Sequence, residues 1–413
     1  MLSADVAVVG GGPAGAAAAI TLARAGREVV LVDKAAFPRD KCCGDGLTTA
    51  ALRRYEDLGL RPESVASWRV VEDVWVRSPS GHTVAFELPR SAGTYAAVAR
   101  RVDLDAAFLD VARAAGVKVH DGHAVTGARA AADRVLVEVE GLGPVAARYA
   151  IGADGMWSPL RKFLGADSAT PGASGYLGEW HAFRQYFRGV GPAAEGLWVC
   201  FEPDLLPGYA WSFPLPDGRA NVGFGIQRVP GVATRSMNKQ WSDLLQRPHI
   251  TDLLGPAATP EAPHKAWPIP ARVGTTALHA AGGRALFVGD AARASDPMTG
   301  EGIGQALETA TSAAEAVLAA GWRRPTVAAA RYEATVRRGL AVDHRLAALL
   351  SGALRHRKGA RAAVRIAGSS DWTRRNFARW LFEDYPRAVL ATPHRWHAGM
   401  LGGPGAYRDG RAW

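Results

Sequence analysis

Three glycines near the start of the chain have the spacing that a bound pyrophosphate requires. Gly10, Gly12 and Gly15 form a G-x-G-x-x-G pattern between an apolar run, DVAVV, and an alanine-rich stretch of helical composition. Such glycines allow a tight turn, a close approach of the backbone to phosphate, and close contact between helix and strand. Because a helix that begins at this turn directs free N–H groups toward an anion, the pattern predicts a dinucleotide site.

A carboxylate follows at the distance that dinucleotide sites use for a ribose. A second apolar run, EVVLV, ends in Asp33, close to the offset of about 20 residues at which an acid binds a ribose hydroxyl. Strand, turn, helix, second strand and acid therefore agree. The sequence contains no second G-x-G-x-x-G, so we expect one nucleotide site.

Two adjacent cysteines, Cys42 and Cys43, begin a second segment that could do chemistry, because Gly44 and Gly46 follow them closely. A thiol with an ordinary pKa near 8.5 is mostly protonated at neutral pH and can donate a proton. A free cysteine can equally be a small buried apolar residue, and both interpretations stay open. Asp45, between the glycines, is a lesser candidate.

Aromatic residues alternate in a third segment. Tyr209, Trp211 and Phe213 precede Pro214, and on a strand the three rings share one face. They can form a wall for a flat or elongated apolar ligand, or they can be ordinary core. The eleven histidines and three cysteines show no spacing typical of metal ligands, so we expect no metal.

The net charge of +10 is concentrated in the last part of the chain. Residues 321–413 contain 18 Lys and Arg against 6 Asp and Glu, and the basic runs RHRKGAR and TRRNFARWLF interleave arginine with apolar residues. These runs form either a solvated helix face or a surface that rests on an anionic membrane. No nucleic-acid-binding motif accompanies them, so we expect no nucleic-acid partner. No stretch of 18 apolar residues and no signal peptide is present, which predicts a cytoplasmic protein, with peripheral contact at the inner face of the cell membrane as the further hypothesis.

Six ordered motifs together resemble a known family. GGGPAG, RRVDLD, GADGMWSPLR and GDAARASDPMTGEGI are similar to the FAD-binding fold of the aromatic hydroxylases, and PRDKCCGDGL and GYAWSFP are similar to the geranylgeranyl reductase family. The resemblance covers residues 1 to about 320. It implies that FAD is bound by Gly10, Gly12, Pro13, Ala14, Gly15, Asp33, Lys34, Cys43, Gly44, Arg101, Val125, Asp154, Gly289, Asp290, Pro297, Gly300, Gly302 and Ile303. It further implies a catalytic loop at Cys43, Gly44 and Gly46, and a substrate wall at Tyr209, Trp211, Phe213 and Pro214.

Several of these assignments have structural alternatives. Asp290 can be a helix N-cap as well as a cofactor contact. Asp154 can be a turn residue, and Arg161 a surface charge. We rank cofactor contact above the N-cap for Asp290 and leave Asp154 open.

The expected fold is α/β, with a Rossmann-like FAD-binding domain interleaved with a β-sheet substrate domain and a helical C-terminal tail. The expected boundaries are 1–165 for the first part of the FAD-binding domain, with an interleaved hairpin at 68–98; 166–280 for an antiparallel substrate domain; 281–320 for the last part of the FAD-binding domain; and 321–413 for the basic tail.

The expected function is reduction of carbon–carbon double bonds in an isoprenoid chain, on a polyprenyl quinone or a geranylgeranyl lipid. Reduced flavin delivers hydride, an acid such as Cys43 protonates the other carbon, and NAD(P)H or a reduced carrier supplies electrons from outside. Two alternatives remain: a flavin monooxygenase of an aromatic or polycyclic natural product, and a non-catalytic flavoprotein that binds a lipid or quinone.

Overall fold

The structure, a computed structural model, describes residues 1–170, 172, 175–228 and 236–408. The predicted substrate domain includes residues 171, 173–174 and 229–235, and the predicted tail includes residues 409–413. These parts of the two predictions lie outside the described residues.

Strands alternate with helices up to residue 302, and helices follow from there on. The strands of the described chain are β1 (Leu2–Val9), β2 (Val29–Asp33), β3 (Gly46–Leu47), β4 (Arg69–Val70), β5 (Asp73–Arg77), β6 (Thr83–Glu87), β7 (Ala97–Val98), β8 (Lys118–Asp121), β9 (Val125–Ala130), β10 (Val135–Val139), β11 (Gly143–Gly152), β12 (Trp180–Arg188), β13 (Leu197–Cys200), β14 (Tyr209–Leu215), β15 (Arg219–Gln227), β16 (Thr259–Pro260), β17 (Lys265–Ile269), β18 (His279–Ala280) and β19 (Ala285–Phe287). The α-helices are α1 (Pro13–Arg24), α2 (Thr49–Asp57), α3 (Arg101–Ala114), α4 (Pro159–Phe163), α5 (Ser236–Leu245), α6 (Pro248–Leu254), α7 (Ile303–Ala320), α8 (Pro325–Arg338), α9 (Leu340–Leu354), α10 (Arg357–Ala367) and α11 (Asp371–Leu381).

The first sheet carries the glycine motif. Its strand order is β18-β19-β11-β1-β2-β8, and β1 runs parallel to both β11 and β2. Strands β9 and β10 extend it as an antiparallel branch from β11. Helix α1 connects β1 to β2 and packs beside α7, where alanines such as Ala17 and Ala313 are fully buried. Small side chains let these two helices approach closely, and the carboxyl ends of β1, β2 and β19 meet at one edge, where ligands bind in such sheets.

The second sheet has the order β16-β12-β15-β14-β13-β5-β6, with β17 also paired to β12. All its pairs are antiparallel except β13 with β5. The predicted hairpin at 68–98 supplies β5 and β6 to this sheet, whereas β4 pairs with β7 in a separate three-stranded sheet. The hairpin therefore lies within the first part of the chain but belongs structurally to the second sheet.

The segment 166–280 contains two helices that the prediction of an antiparallel domain did not include. Helix α6 begins with Pro248 at a favoured first position and ends at Leu254, followed by the C-cap Gly255, whose φ is 81°. Met237 and Trp241 of α5 and Leu254 of α6 are buried in a cluster with residues of the second sheet. Packing against the sheet, rather than intrinsic propensity, therefore stabilises both helices.

The C-terminal helices contact both sheets. Helix α8 packs against α7, with Tyr332 fully buried, and Val364 of α10 and Ala378 of α11 pack near Phe86 of the second sheet. Phe377, in the basic run TRRNFARWLF, packs against Phe86 with ring centroids 5.1 Å apart. Within the described chain, no helix is both long and apolar enough to cross a bilayer.

Candidate active site

One large cavity of about 1140 Å³ lies between the two sheets. Its wall begins at the glycine loop after β1, continues along the cysteine loop and β14, and ends among helices α9, α10 and α11. Most of the residues predicted to act in the site line this wall. The exceptions are Gly15, Pro214, Gly289 and Pro297.

The glycine loop is shaped by close backbone contacts. Gly10 has a φ of 104°, and a Cβ there would lie 2.3 Å from the carbonyl oxygen of Ala153. A Cβ on Gly15 would lie 1.7 Å from the carbonyl oxygen of Gly10. Gly15 therefore permits the helix to approach the strand, as predicted, but it lies behind the cavity wall.

The first turn of α1 faces the cavity at Gly12, Pro13 and Ala14. Among the described residues, no side chain caps this helix, so its first N–H groups can donate to an anion. The cationic side chains of Arg39, Lys41 and Arg101 also line the cavity. Backbone donors and positive charge thus converge where a pyrophosphate is expected.

Asp33 lies at the end of β2 and organises the loop around it. Its carboxylate accepts hydrogen bonds from the N–H of Gly11 at 2.6 Å and of Ala35 at 2.8 Å. Each oxygen retains a lone pair for a ribose hydroxyl. Lys34 and Val125 line the wall beside it.

Arg101 is the buried cation at the start of α3. It forms two hydrogen bonds to Asp105, at 2.7 and 2.6 Å, and Arg39 lies 3.1 Å from the same carboxylate. A two-point contact of this kind fixes the plane of the guanidinium group. Arg101 is therefore held rigidly in the cavity wall.

The loop between β19 and α7 lines the same cavity. Asp290 lies in a short 3₁₀ turn, Gly289–Ala292, and accepts a hydrogen bond from Ser295 at 3.3 Å. Helix α7 begins only at Ile303, with Gly302 at its N-cap. Asp290 is therefore not the N-cap of α7, and that alternative is wrong.

The residues from Gly300 to Ile303 line the cavity, whereas Gly289 packs behind the loop against Ala14 and Ala306. Asp296 holds the loop, since it accepts hydrogen bonds from the N–H groups of Met298 at 2.8 Å and Thr299 at 2.7 Å. The Glu301 carboxylate accepts a hydrogen bond from the Gly304 N–H at 2.6 Å, and a fixed turn places the N-terminus of α7, at Gly302 and Ile303, in the cavity wall.

Asp154 and Arg161 have clear structural roles. Asp154 accepts hydrogen bonds from the Ser158 hydroxyl at 2.6 Å and the Leu160 N–H at 2.9 Å, and burial raises its pKa to about 6. It fixes the start of α4 while also lining the cavity. Arg161 is buried and donates to the Ala277 carbonyl at 2.7 Å, so the surface-charge alternative is wrong.

The cysteine loop packs directly against the aromatic strand. A Cβ on Gly44 or Gly46 would lie 3.3 or 3.1 Å from the ring of Phe213, so glycine permits this approach. Cys43 is half-buried in the cavity wall, where burial raises the pKa of its thiol, and Cys42 has its pKa raised by burial to about 11. Both thiols therefore stay protonated at neutral pH.

Tyr209, Trp211 and Phe213 form a continuous row along β14. Successive ring centroids are 6.1 and 6.0 Å apart, and the Tyr209 hydroxyl donates to the carbonyl of Thr299 in the loop before α7. Pro214, next along the strand, does not line the cavity. The row therefore connects the cysteine loop with the loop that precedes α7.

Sequence reasoning missed two residues that hold this region together. Asn221 of β15 is fully buried and accepts a hydrogen bond from the Trp211 indole at 3.0 Å, while its amide donates to the Cys43 carbonyl at 2.9 Å. Tyr186 of β12 donates to Asp45 at 2.6 Å. The available signal was a polar residue within an apolar strand pattern, RANVGFG, but that signal names no partner.

The residues present fit FAD. The glycine loop lacks side chains where phosphates must approach, the uncapped N-terminus of α1 and nearby cations supply positive charge, and the cavity continues past the glycine loop to the aromatic strand. Among the described residues, no three His, Cys, Asp or Glu side chains form a group that could hold a metal. The expectation of no metal stays a prediction.

Comparison with known proteins identifies the family. A sequence model of the FAD-binding domain matches residues 3–334. The chain is 34% identical over 377 residues to a menaquinone reductase of Mycobacterium tuberculosis, across 84% of each protein. It is 31% identical over 318 residues to digeranylgeranylglycerophospholipid reductase 1 of Methanopyrus kandleri, across 73% of this chain and 77% of that protein.

A solved structure shows the same architecture. A geranylgeranyl bacteriochlorophyll reductase-like protein of Thermoplasma acidophilum superposes with a TM-score of 0.77 at 20% identity, across 96% of this chain and all of that one. This similarity confirms the predicted α/β fold, and the family match confirms FAD as the cofactor. The chain belongs to the FAD-binding domain family, resembles its geranylgeranyl reductases over most of its length, and is an FAD-dependent oxidoreductase.

Proposed function

We propose that this flavoprotein is a reductase that saturates carbon–carbon double bonds of an isoprenoid chain carried by a quinone or a lipid. The observation that carries the proposal is the course of the cavity, which continues from the dinucleotide end past the aromatic row to helices α9–α11. Its far part is lined by apolar residues, namely Leu350, Leu354, Val364, Phe377 and Leu381. A long apolar chain fits such a passage, with one double bond beside the flavin.

The names of the sequence relatives support the same substrate class. One is called a menaquinone reductase and another a digeranylgeranylglycerophospholipid reductase, and both substrates contain isoprenoid chains. Bound FAD, reduced by NAD(P)H or by a reduced carrier, supplies the hydride. The chain's own residues then have to orient the alkene, exclude water and supply a proton.

We assign residues 1–165 and 281–320 to the FAD-binding domain, 166–280 to the substrate-binding domain and 321–413 to the C-terminal region. Gly10, Gly12 and the first turn of α1 bind the pyrophosphate. Asp33 binds the adenosine ribose. The N–H groups at Gly302 and Ile303 lie at a helix N-terminus, which favours the negative charge that reduced flavin develops.

At the reaction end, we assign Cys43 as the proton donor to the alkene. An isolated alkene accepts hydride poorly, so protonation must accompany hydride transfer and positive charge develops on carbon. The faces of Trp211 and Phe213 stabilise such charge by cation–π attraction, and an apolar passage keeps water away from it.

We further propose that the C-terminal helices rest on an anionic membrane. The helices that line the far end of the cavity carry exposed cations on α10, namely Arg357, Lys358, Arg361 and Arg365. Leu349, Ile366 and Trp372 are exposed beside them, at 73%, 67% and 68%. Cations with apolar and aromatic side chains match an anionic bilayer surface, and an isoprenoid lipid could pass from it into the cavity.

The proposed activity is tested by mass spectrometry of products. Chemically reduced, FAD-loaded protein is incubated without oxygen with menaquinone or with a geranylgeranyl lipid. We expect a gain of two hydrogens for each reduced bond, lost in Cys43→Ala and retained in the matched control Cys200→Ala, whose cysteine lies in β13. No reduced product under these conditions, but oxygen incorporation with air and NADPH, would identify a monooxygenase instead.

A further inference from the structure

Asp45 occupies an unusual position in the cysteine loop. Its backbone has a φ of 66° and its side chain is fully buried, although Asp45 lines the cavity together with its neighbours Gly44 and Gly46. A buried carboxyl in a left-handed backbone conformation costs free energy, so it calls for an explanation.

The two oxygens of this carboxyl have different surroundings. Oδ2 accepts hydrogen bonds from the hydroxyl of Tyr186 at 2.6 Å and from the amide of Asn221 at 2.8 Å. Oδ1 is buried and has no hydrogen-bond partner among the described residues. Since both donors occupy Oδ2, a proton on this carboxyl belongs on Oδ1.

The charges around the carboxyl decide when it carries that proton. Burial raises the pKa of Asp45 to about 6, and the hydrogen bonds from Tyr186 and Asn221 and the guanidinium groups of Arg184 on β12 and Arg101 on α3 oppose the rise. Both cations already have carboxylate partners. Arg184 pairs with Asp40 and Arg101 with Asp105, each at 2.6 Å.

Asp45 is linked to Cys43 by hydrogen bonds. The Asp45 N–H donates to the sulfur of Cys43 at 3.3 Å, and the Asn221 amide that binds Oδ2 also binds the Cys43 carbonyl. Thiol and carboxyl therefore belong to one fixed turn, and Cys43 and Asp45 both line the cavity.

We propose that Asp45 stores the proton that each turnover consumes and returns it to Cys43. This inference rests on the proposed reductase activity. The Cys43 S–H bond breaks as its proton goes to one alkene carbon, while the other carbon receives hydride from reduced flavin, which is oxidised as the alkene is reduced. The thiolate then takes the proton from Oδ1 of Asp45, and the carboxylate regains one from water.

The substitution Asp45→Asn tests the storage role with little change in structure. Asparagine adopts the left-handed conformation readily. Its oxygen can accept both bonds at the Oδ2 position while its amide fills the position of Oδ1. We therefore expect normal FAD binding and a cooperative thermal unfolding transition, with repeated turnover on a geranylgeranyl lipid reduced by about 100-fold or more.

The pH profile separates this role from a structural one. In the wild type, turnover should fall as pH rises through about 6, because the stored proton is lost; Asp45→Asn should lack this fall. Tyr186→Phe removes a bond that favours the carboxylate, so its fall should move to higher pH. An infrared band of a protonated carboxyl should titrate in the same range in the wild type, with and without FAD, and be missing in Asp45→Asn.

Two results distinguish the possible failures. If the wild type reduces the lipid and Asp45→Asn has the same rate and the same pH profile, the storage role alone is overturned. No reduced lipid from the wild type at any pH would overturn the proposed function, and the storage role with it.

Discussion

The two ends of the cavity are built in different ways. The nucleotide end consists mainly of backbone, namely glycines and helix N-termini, together with the side chain of Asp33, and most of these lie within the first 33 residues. The reaction end is made of side chains from β12, β14, β15 and the cysteine loop, joined through Asn221. Binding the cofactor thus depends on local backbone geometry, whereas the chemistry depends on contacts between distant segments.

The largest effect is expected from a substitution at the nucleotide end. Gly15→Ala places a Cβ 1.7 Å from the Gly10 carbonyl oxygen. Because both atoms are fixed to the backbone of the glycine loop and the start of α1, this clash can be relieved only if α1 moves away from β1. We expect a loss of more than about 3 kcal/mol in the free energy of unfolding and little bound FAD. Chemical denaturation and flavin absorbance measure the two quantities.

The matched control for this substitution is Gly352→Ala in α9, where a Cβ meets no atom within 4 Å. It should leave FAD content unchanged and stabilise the helix by about 0.5–1 kcal/mol. If the Gly15→Ala protein purifies with a full complement of FAD, the claim that FAD binding depends on the backbone geometry of the glycine loop is contradicted.

The next largest effect is expected from a substitution at the reaction end, which should leave the nucleotide end unchanged. Asn221→Ala removes bonds to Trp211, Cys43 and Asp45 and leaves buried polar groups unpaired. We expect a loss of about 2–3 kcal/mol in the free energy of unfolding, with bound FAD retained and product formation impaired. The exposed Asn238→Ala should change stability by less than about 0.5 kcal/mol. Loss of FAD from Asn221→Ala would show that the two ends are not separable.

The free energy of unfolding at the reaction end should depend on pH through Asp45. Burial raises the pKa of Asp45 from 3.8 to about 6 in the folded protein, so the folded state binds this proton more tightly than the unfolded chain. The resulting stability is complete below about pH 4 and is lost as pH rises through 6. Relative to Asp45→Asn, the wild type should lose about 2–3 kcal/mol between pH 4 and 7. Parallel stability curves for the two proteins would contradict a raised pKa.

The smallest effect concerns the far end of the cavity. Replacing Arg361 and Arg365 with glutamine should weaken binding to anionic vesicles by about 1 kcal/mol for each charge, or about 30-fold together. The control pair Arg129→Gln and Arg188→Gln, both exposed outside the C-terminal region, should bind as the wild type does. Equal vesicle binding by both double variants in a co-sedimentation assay would place the membrane contact elsewhere.

The sequence alone indicates the nucleotide end because the geometry of this end is local. Gly10, Gly12 and Asp33 act within one strand–helix–strand unit, so spacing alone indicates their roles. For the cysteine loop and the aromatic row, the residue types alone left a structural alternative open, and only the resemblance to a family favoured a role in the site. Their contact depends on the glycines of the loop facing Phe213, which the sequence separates by more than 160 residues.

Other features required the fold itself. Arg161 reads as a surface charge in sequence, yet the loop at Ala277, more than 100 residues away, supplies its acceptor. Likewise Tyr186 and Asn221 reach Asp45 only because β12 and β15 are neighbours in the second sheet. A sequence shows where polar residues interrupt an apolar strand, but the topology decides which groups they meet.

The most direct test of the account is whether an isoprenoid lipid oxidises the reduced flavin. Reduced, FAD-loaded protein is mixed without oxygen with a geranylgeranyl lipid that has no quinone, and flavin absorbance is followed beside product mass. We predict flavin oxidation at a rate that depends on lipid concentration and matches the appearance of saturated product. Reduced flavin that persists with the lipid and is consumed only when air is admitted would contradict the reductase.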